Sequence, residues 1–245
     1  MRKKLFVCLV MAAGMAGATE PVAFRASARV EIDAAGKPMN IEASKDLPDS
    51  IRTFIEKTVA TWHFTPPSRG DVSGIGVTYL SLGACAFPEG GNYRMAIDLK
   101  GNGPSLVSHP EPSLPRYPSE AMRAGREADL VVKWIVETDG LASLERIERK
   151  GGTALRKNDP FFKPIKEWIA QLRYEPEELA GHRVRTRISM PFKFSLLPRR
   201  STTQTENQKE MNGLMQSPEC QIAASRLGED MHAVAVDSPV SIEVP

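Results

Sequence analysis

Reactive side chains are scarce in this chain. Of its 3 cysteines, Cys8 lies in an amino-terminal apolar run; its 4 histidines, His63, His109, His182 and His232, are scattered, none at the i and i+4 spacing of a helical zinc site. The two other cysteines cannot build a thiolate cluster, so no metal site is expected. The serines show no Gly-x-Ser-x-Gly elbow, the glycines no phosphate-binding loop after a strand, and the carboxylates no pairing that sets them above surface charge. No catalytic residue and no cofactor can be assigned, and the chain is expected not to be an enzyme. Charge of one sign is lacking as well: 32 Lys and Arg against 30 Asp and Glu leave a formal net charge of +2, which gives no basis for nucleic-acid binding.

Long apolar runs are also missing. The run at residues 5–15 falls short of the roughly 20 residues needed to span a bilayer, and no second candidate exists. Arg2, Lys3 and Lys4 before it and Ala16-Gly17-Ala18 after it make residues 1–18 read as a secretory signal peptide, cleaved after Ala18. An uncleaved inner-membrane anchor is the rival reading. Cys8 leaves with the leader, and in an oxidising compartment the remaining pair, Cys85 and Cys220, is a disulfide candidate; a redox pair would show Cys-x-x-Cys spacing instead.

With 41% hydrophobic and 25% charged residues, the chain has the composition of one or two small globular domains rather than of a disordered segment. One pattern occurs twice. An apolar-striped helix (Ile51, Ile55, Val59, Trp62) leads to Phe64-Thr65-Pro66-Pro67, Gly70 and a strand at 77–82; a second (Phe161, Ile165, Ile169, Leu172) leads to Tyr174-Glu175-Pro176, Gly181 and a strand at 184–196. Each is preceded by a hairpin, turning at Ala35-Gly36 and at Asp139-Gly140. The expected fold is α+β: two small units, each an antiparallel sheet of about three strands packed against helices. The expected boundaries are 19–100 for a degenerate first unit, 101–114 for a Pro/Gly/Ser connector, 115–198 for the second unit, and 199–245 for a polar linker and tail. A further hairpin strand at 93–99 in the first unit has no expected counterpart in the second. Pro164 is expected to kink the second main helix or delay its start.

Along 184–196, Val184, Thr186, Ile188, Met190, Phe192, Phe194 and Leu196 face one way and Arg183, Arg185, Arg187, Ser189, Pro191, Lys193 and Ser195 the other, a strict period of two. The arginines read as the solvated face of a sheet that resists aggregation, with an anion-binding stripe as the alternative. Pro191, which lacks a backbone donor, points to an edge or a bulge. Trp62, Trp134 and Trp168 fall on apolar faces, where a large aromatic belongs to the core rather than to a ligand.

Tyr117-Pro118 with Ala121, the run Leu130-Val131-Val132-Lys133-Trp134-Ile135-Val136, Asp139-Gly140, Gly151-Gly152, Leu172-Arg173-Tyr174-Glu175-Pro176, Gly181 and Met190-Pro191-Phe192-Lys193-Phe194 resemble the C-terminal domain of TonB-type energy transducers. The resemblance covers 115–197 closely and 26–82 more faintly; Ala128 departs from it, standing where the family places glycine. It implies a periplasmic protein of the Gram-negative cell envelope that binds an extended peptide of an outer-membrane transporter, or another envelope protein, by strand addition. The implied accepting edge is Val184, Arg185, Thr186, Arg187, Ile188, Ser189, Met190, Pro191 and Phe192, with further partner contacts at Tyr117 and Pro118. A small-molecule cofactor is not implied, and a homodimer stays open. Neither the polar residues of a coupling helix nor a spacer long enough to cross the periplasm is present, so a soluble binding protein is preferred. The alternatives are an anchored energy transducer with an uncleaved amino-terminal segment, and a secreted hydrolase or carbohydrate-binding protein.

Overall fold

The computed structural model describes residues 21–89, 92–107, 114–196, 220–221 and 233–243. The leader at 1–18, the polar tract at 201–210, His109 and His232 lie outside the described residues. In chain order the elements are β1 (Val22–Ile32), β2 (Pro38–Ala43), α1 (Asp49–Val59), β3 (His63–Phe64), β4 (Ser68–Arg69), β5 (Val72–Ser73), β6 (Gly76–Glu89), β7 (Asn92–Gly103) and β8 (Ser105–Leu106). They continue as α2 (Ser119–Arg123), β9 (Ala128–Val136), β10 (Ala142–Arg149), α3 (Phe162–Ile169), β11 (Tyr174–Glu175), β12 (Glu178–Leu179), β13 (His182–Arg183), β14 (Thr186–Phe194), β15 (Val234–Ala235) and β16 (Ile242–Glu243). The fold is mixed and strand-rich, about 15% helix and 49% strand in mostly antiparallel sheets, so it fits α+β only loosely.

Alternation builds the long strands. In β9, Ala128, Leu130, Val132, Trp134 and Val136 are buried while their neighbours are not; in β14 the buried set is Thr186, Ile188, Met190, Phe192 and Phe194. These faces close on Phe161, Ile165, Trp168 and Ile169 of the α3 region to form one core. A second core joins Val30, Ile32, Leu80 and Leu82 to Ile55 and Val59 of α1, Trp62 and Phe64, and takes in Val240 from the carboxy-terminal tail. All three tryptophans are buried. Pro164 neither kinks nor delays α3, which begins at Phe162. It falls in the first turn, where backbone N–H groups have no helical acceptor and a missing one costs nothing.

The first sheet runs β2-β1-β6, with β7 on the far edge of β6; the second runs β10-β9-β14-β15. Short ladders cross between them. Glu178 and Leu179 pair with Val77 and Gly76, Tyr174 and Glu175 with Leu106 and Ser105, and Phe64 and His63 with Ile242 and Glu243. Part of the expected connector is therefore ladder, because β7 runs on to Gly103 and β8 follows at once.

Two turn glycines carry an unusual constraint. Gly36 (φ 88°) and Gly140 (φ 83°) would place a Cβ 2.3 Å from the Phe64 carbonyl oxygen and 2.2 Å from that of Tyr174. Gly36→Ala and Gly140→Ala should each cost about 2–4 kcal/mol, from left-handed strain plus overlap with a backbone that cannot yield. Denaturant midpoints measure this; a loss under about 0.5 kcal/mol would mean the turn does not rest on the aromatic carbonyl.

Candidate strand-accepting edge

The strand expected over 184–196 forms only from Thr186 to Phe194. Val184 lies before it, its N–H donating to the Glu177 carbonyl at 2.9 Å. Of the nine expected edge residues, Thr186, Ile188, Met190 and Phe192 turn their side chains into the core, leaving backbone and the outward Arg185, Arg187, Ser189 and Pro191 to face a partner. One side of β14 is paired along its length by β9. The other side carries a strand of the same chain: β15 pairs Ala235 with Ile188 and Val234 with Ser189. The Val236 N–H donates to the Arg187 carbonyl, and the Arg187 N–H donates to Asp237 Oδ1 at 2.6 Å. Arg187 thus points its backbone groups away from β9. By the period of two, Pro191 does so too, and its missing donor falls on the outer edge and not in the β9 ladder. Among the described residues no strand lies on that edge beyond Ser189.

Beside the edge is a concavity of about 460 Å³ lined by Arg69, Ile135, Arg185, Arg187 and Asp237. Arg69 donates to the carbonyls of Arg185 and Asp237. Arg185 pairs with Glu137 at 2.7 Å, and Arg187 with Glu145 at 2.9 Å and Asp237 at 3.5 Å. Arg183 pairs with Glu175. The outward arginines are therefore matched by carboxylates rather than forming an unbalanced cationic stripe.

Beneath the tail lies Glu177, whose side chain is fully buried. Its carboxylate accepts hydrogen bonds from Thr78 of β6 at 2.7 Å, Thr186 of β14 at 2.8 Å and Ser238 of the tail at 2.7 Å. Asn102 donates to Ser238 Oγ at 3.0 Å and to the Val240 carbonyl at 2.9 Å. Burial pushes the Glu177 carboxyl above the usual carboxylate range, against the pull of its three hydroxyl donors and of Arg69. An acid raised in the fold stabilises fully below the unfolded value of about 4.3, and that contribution is lost as pH rises through the folded value. Urea midpoints measured from about pH 4 to pH 8 should accordingly decline less in Glu177→Gln than in the parent chain. Parallel curves would mean that Glu177 does not titrate there. Glu177→Ala, which leaves the hydroxyls without their shared acceptor, should cost about 2–3 kcal/mol.

Tyr117 does not reach β15. Its ring packs edge-on against Phe161 and Phe194 at 5.9 and 5.5 Å, and its hydroxyl donates to the Arg126 carbonyl at 2.6 Å. Phe194 lies about 17 Å along β14 from Ser189, so Tyr117 and Pro118 belong to the other end of the strand. Cys85 and Cys220 lie together at disulfide distance, with Cα atoms 6.2 Å apart. Among the described residues, no group of three or more His, Cys, Asp or Glu converges as a metal site, and no helix is long and apolar enough to cross a membrane. The sequence pattern carries no signal for Arg69, Glu177, Asp237 and Ser238; each reads locally as a solvated side chain in a turn or tail, and only the fold gathers them. No family model, curated protein or solved structure matches the chain.

Proposed function

We propose that this chain is a non-enzymatic binding protein of the Gram-negative periplasm, made of two related α+β units of the TonB C-terminal type. In this reading it holds an extended peptide, from an outer-membrane transporter or another envelope protein, on the outer edge of β14. The observation that carries the binding reading is β15: this edge already takes an added strand through backbone contacts, with Ala235 packing on the core.

The two-unit reading draws support from matched positions. Phe64 and Tyr174, Pro66 and Pro176, Gly70 and Ala180, and Gly76 and Thr186 correspond without a gap. Gly70 (φ 57°) and Ala180 (φ 52°) share the left-handed conformation that alanine rarely adopts. Gly76 pairs with Ile32 in the first sheet as Thr186 pairs with Val136 in the second. Among the described residues the second unit has no hairpin strand like β7, but β15 from the tail lies on β14 at the place where β7 lies on β6. Each aromatic-x-Pro segment is then paired by a strand that follows the other unit's added strand: β8 after β7 on Tyr174, and β16 after β15 on Phe64.

Titrating the mature chain against labelled extended peptides, transporter-box sequences included, tests this function. Ser189→Pro removes one outward donor and should weaken binding about tenfold, the worth of a desolvated backbone hydrogen bond. Arg185→Ala should change mainly the salt dependence. A panel in which no peptide binds would exclude the proposal.

A further inference from the structure

The tail shows what the edge selects for. Residues 234–237 read Val-Ala-Val-Asp, and each position meets a different demand. Val234 and Val236 are exposed, contributing backbone and little side-chain selectivity. Ala235 turns inward, against the core of β9, β14 and α3, and lies so near Gly103 that a Cβ on Gly103 would come within 2.8 Å of it; this position takes a small residue. Asp237 brings a carboxylate to the Arg187 N–H and between the guanidinium groups of Arg187 at 3.5 Å and Arg69 at 3.7 Å.

Resting on the strand-addition reading, we infer that the β14 edge and the adjoining arginine concavity recognise an extended peptide with a small residue followed two positions later by an acidic one, and that residues 234–237 are its built-in occupant. The acid is required by charge balance. Glu145 and Glu137 already serve Arg187 and Arg185 from the flank, but Asp237 is the carboxylate that Arg69 reaches. A neutral strand displacing the tail would still offer Arg69 a backbone carbonyl, but it would leave the Arg69 and Arg187 guanidinium groups without the carboxylate they share, which an acidic strand restores. The tail competes at the effective concentration of a tethered segment, so an outside peptide meets a masked site. Its hold on β14 is short, two register pairs extended by the contacts of Val236 and Asp237 with Arg187 and Arg69, while Ser238 and Val240 anchor the chain just beyond. The strand can therefore leave without unfolding that anchor.

The test uses the full mature chain and a fluorescent peptide, Ala-Val-Ala-Val-Asp-Ser, with its Asp→Asn form as the comparison. Val236→Pro, at an exposed position, combined with Asp237→Asn, at a part-buried one, weakens the internal strand. This chain should bind the acidic peptide about tenfold more tightly than the parent. It should bind the Asn peptide about fivefold more weakly than the acidic one, and adding Arg69→Ala together with Arg187→Ala should abolish that preference. The near-ultraviolet signal of the buried tryptophans reports folding, and Asp237→Asn alone provides a milder variant with the same direction of change. Equal binding of the Asp and Asn peptides would overturn the acidic preference while leaving strand addition intact; equal affinity of parent and variant chains would overturn the built-in occupant. Failure of every chain to bind these or transporter-box peptides would overturn strand addition itself.

Discussion

Trp134→Ala is expected to destabilise the protein by about 3–5 kcal/mol, the range for truncating a buried large aromatic. Trp134 is 1% exposed at the middle of β9, paired on one side with Leu144 and on the other with Ile188. Its ring meets that of Trp168 on α3 edge-on, with centroids 6.1 Å apart, so removing it opens a cavity where sheet and helix join. Neither indole N–H has a hydrogen-bond partner in the structure. Trp134→Phe should therefore cost well under the alanine change, since it gives up volume but also removes an unpaired buried donor. Phe192→Ala, a residue 4% exposed and 6.0 Å from the Trp168 ring, belongs in the same range as Trp134→Ala. Urea midpoints with unchanged slopes would measure these losses. A change of Trp134 or Phe192 within about 0.5 kcal/mol, as at surface sites, would mean that the core-facing and solvent-facing phases of β9 and β14 are reversed.

What was legible in the sequence was whatever repeats over short distances. The alternation along 184–196 placed Ile188, Met190 and Phe192 on the buried face, the large aromatic Trp134 on an apolar face read as core, and the three- and four-residue steps of Ile51, Ile55 and Val59 marked α1. The two-residue ladders were not legible. A pair such as Tyr174–Glu175 has no period to read, and its partner at Ser105–Leu106 is set by long-range topology. For the same reason the strand over 186–194 was legible but the segment that pairs with it was not: nothing within 234–237 says that it docks on Ile188 and Ser189. Glu177 was hidden by its own context, because Pro-Glu-Glu after an aromatic reads as an exposed turn, and its donors Thr78 and Ser238 come from distant parts of the chain. Pro164 was misjudged because a proline in the first turn and one in the interior look alike until the helix start is known.

Replacing Cys85 and Cys220 together by alanine is expected to lower stability by about 4–5 kcal/mol, the chain-entropy value for so long a loop. The pair is separated by 135 residues, more than half the length of the chain, and the cross-link would bind the start of the carboxy-terminal segment to β6. Both residues are buried, at 0% and 1% exposure, among Ala96 and Phe87 on the β6–β7 hairpin. Alanine there removes little volume, so the loss would report mainly the lost constraint on the unfolded chain rather than a cavity. The comparison that separates the two effects is the double-alanine variant against the parent chain with and without reductant: reduction should account for most of the difference, and reductant should leave the variant unchanged. Thiol titration of the denatured, unreduced mature protein should find neither cysteine reactive, and two reactive thiols would exclude the bridge. Because Ser238 and Val240 hold the far end of the same segment, opening the bridge should not release β16 from β3. The tail would then be pinned at one end instead of two, which lowers its effective concentration at the β14 edge.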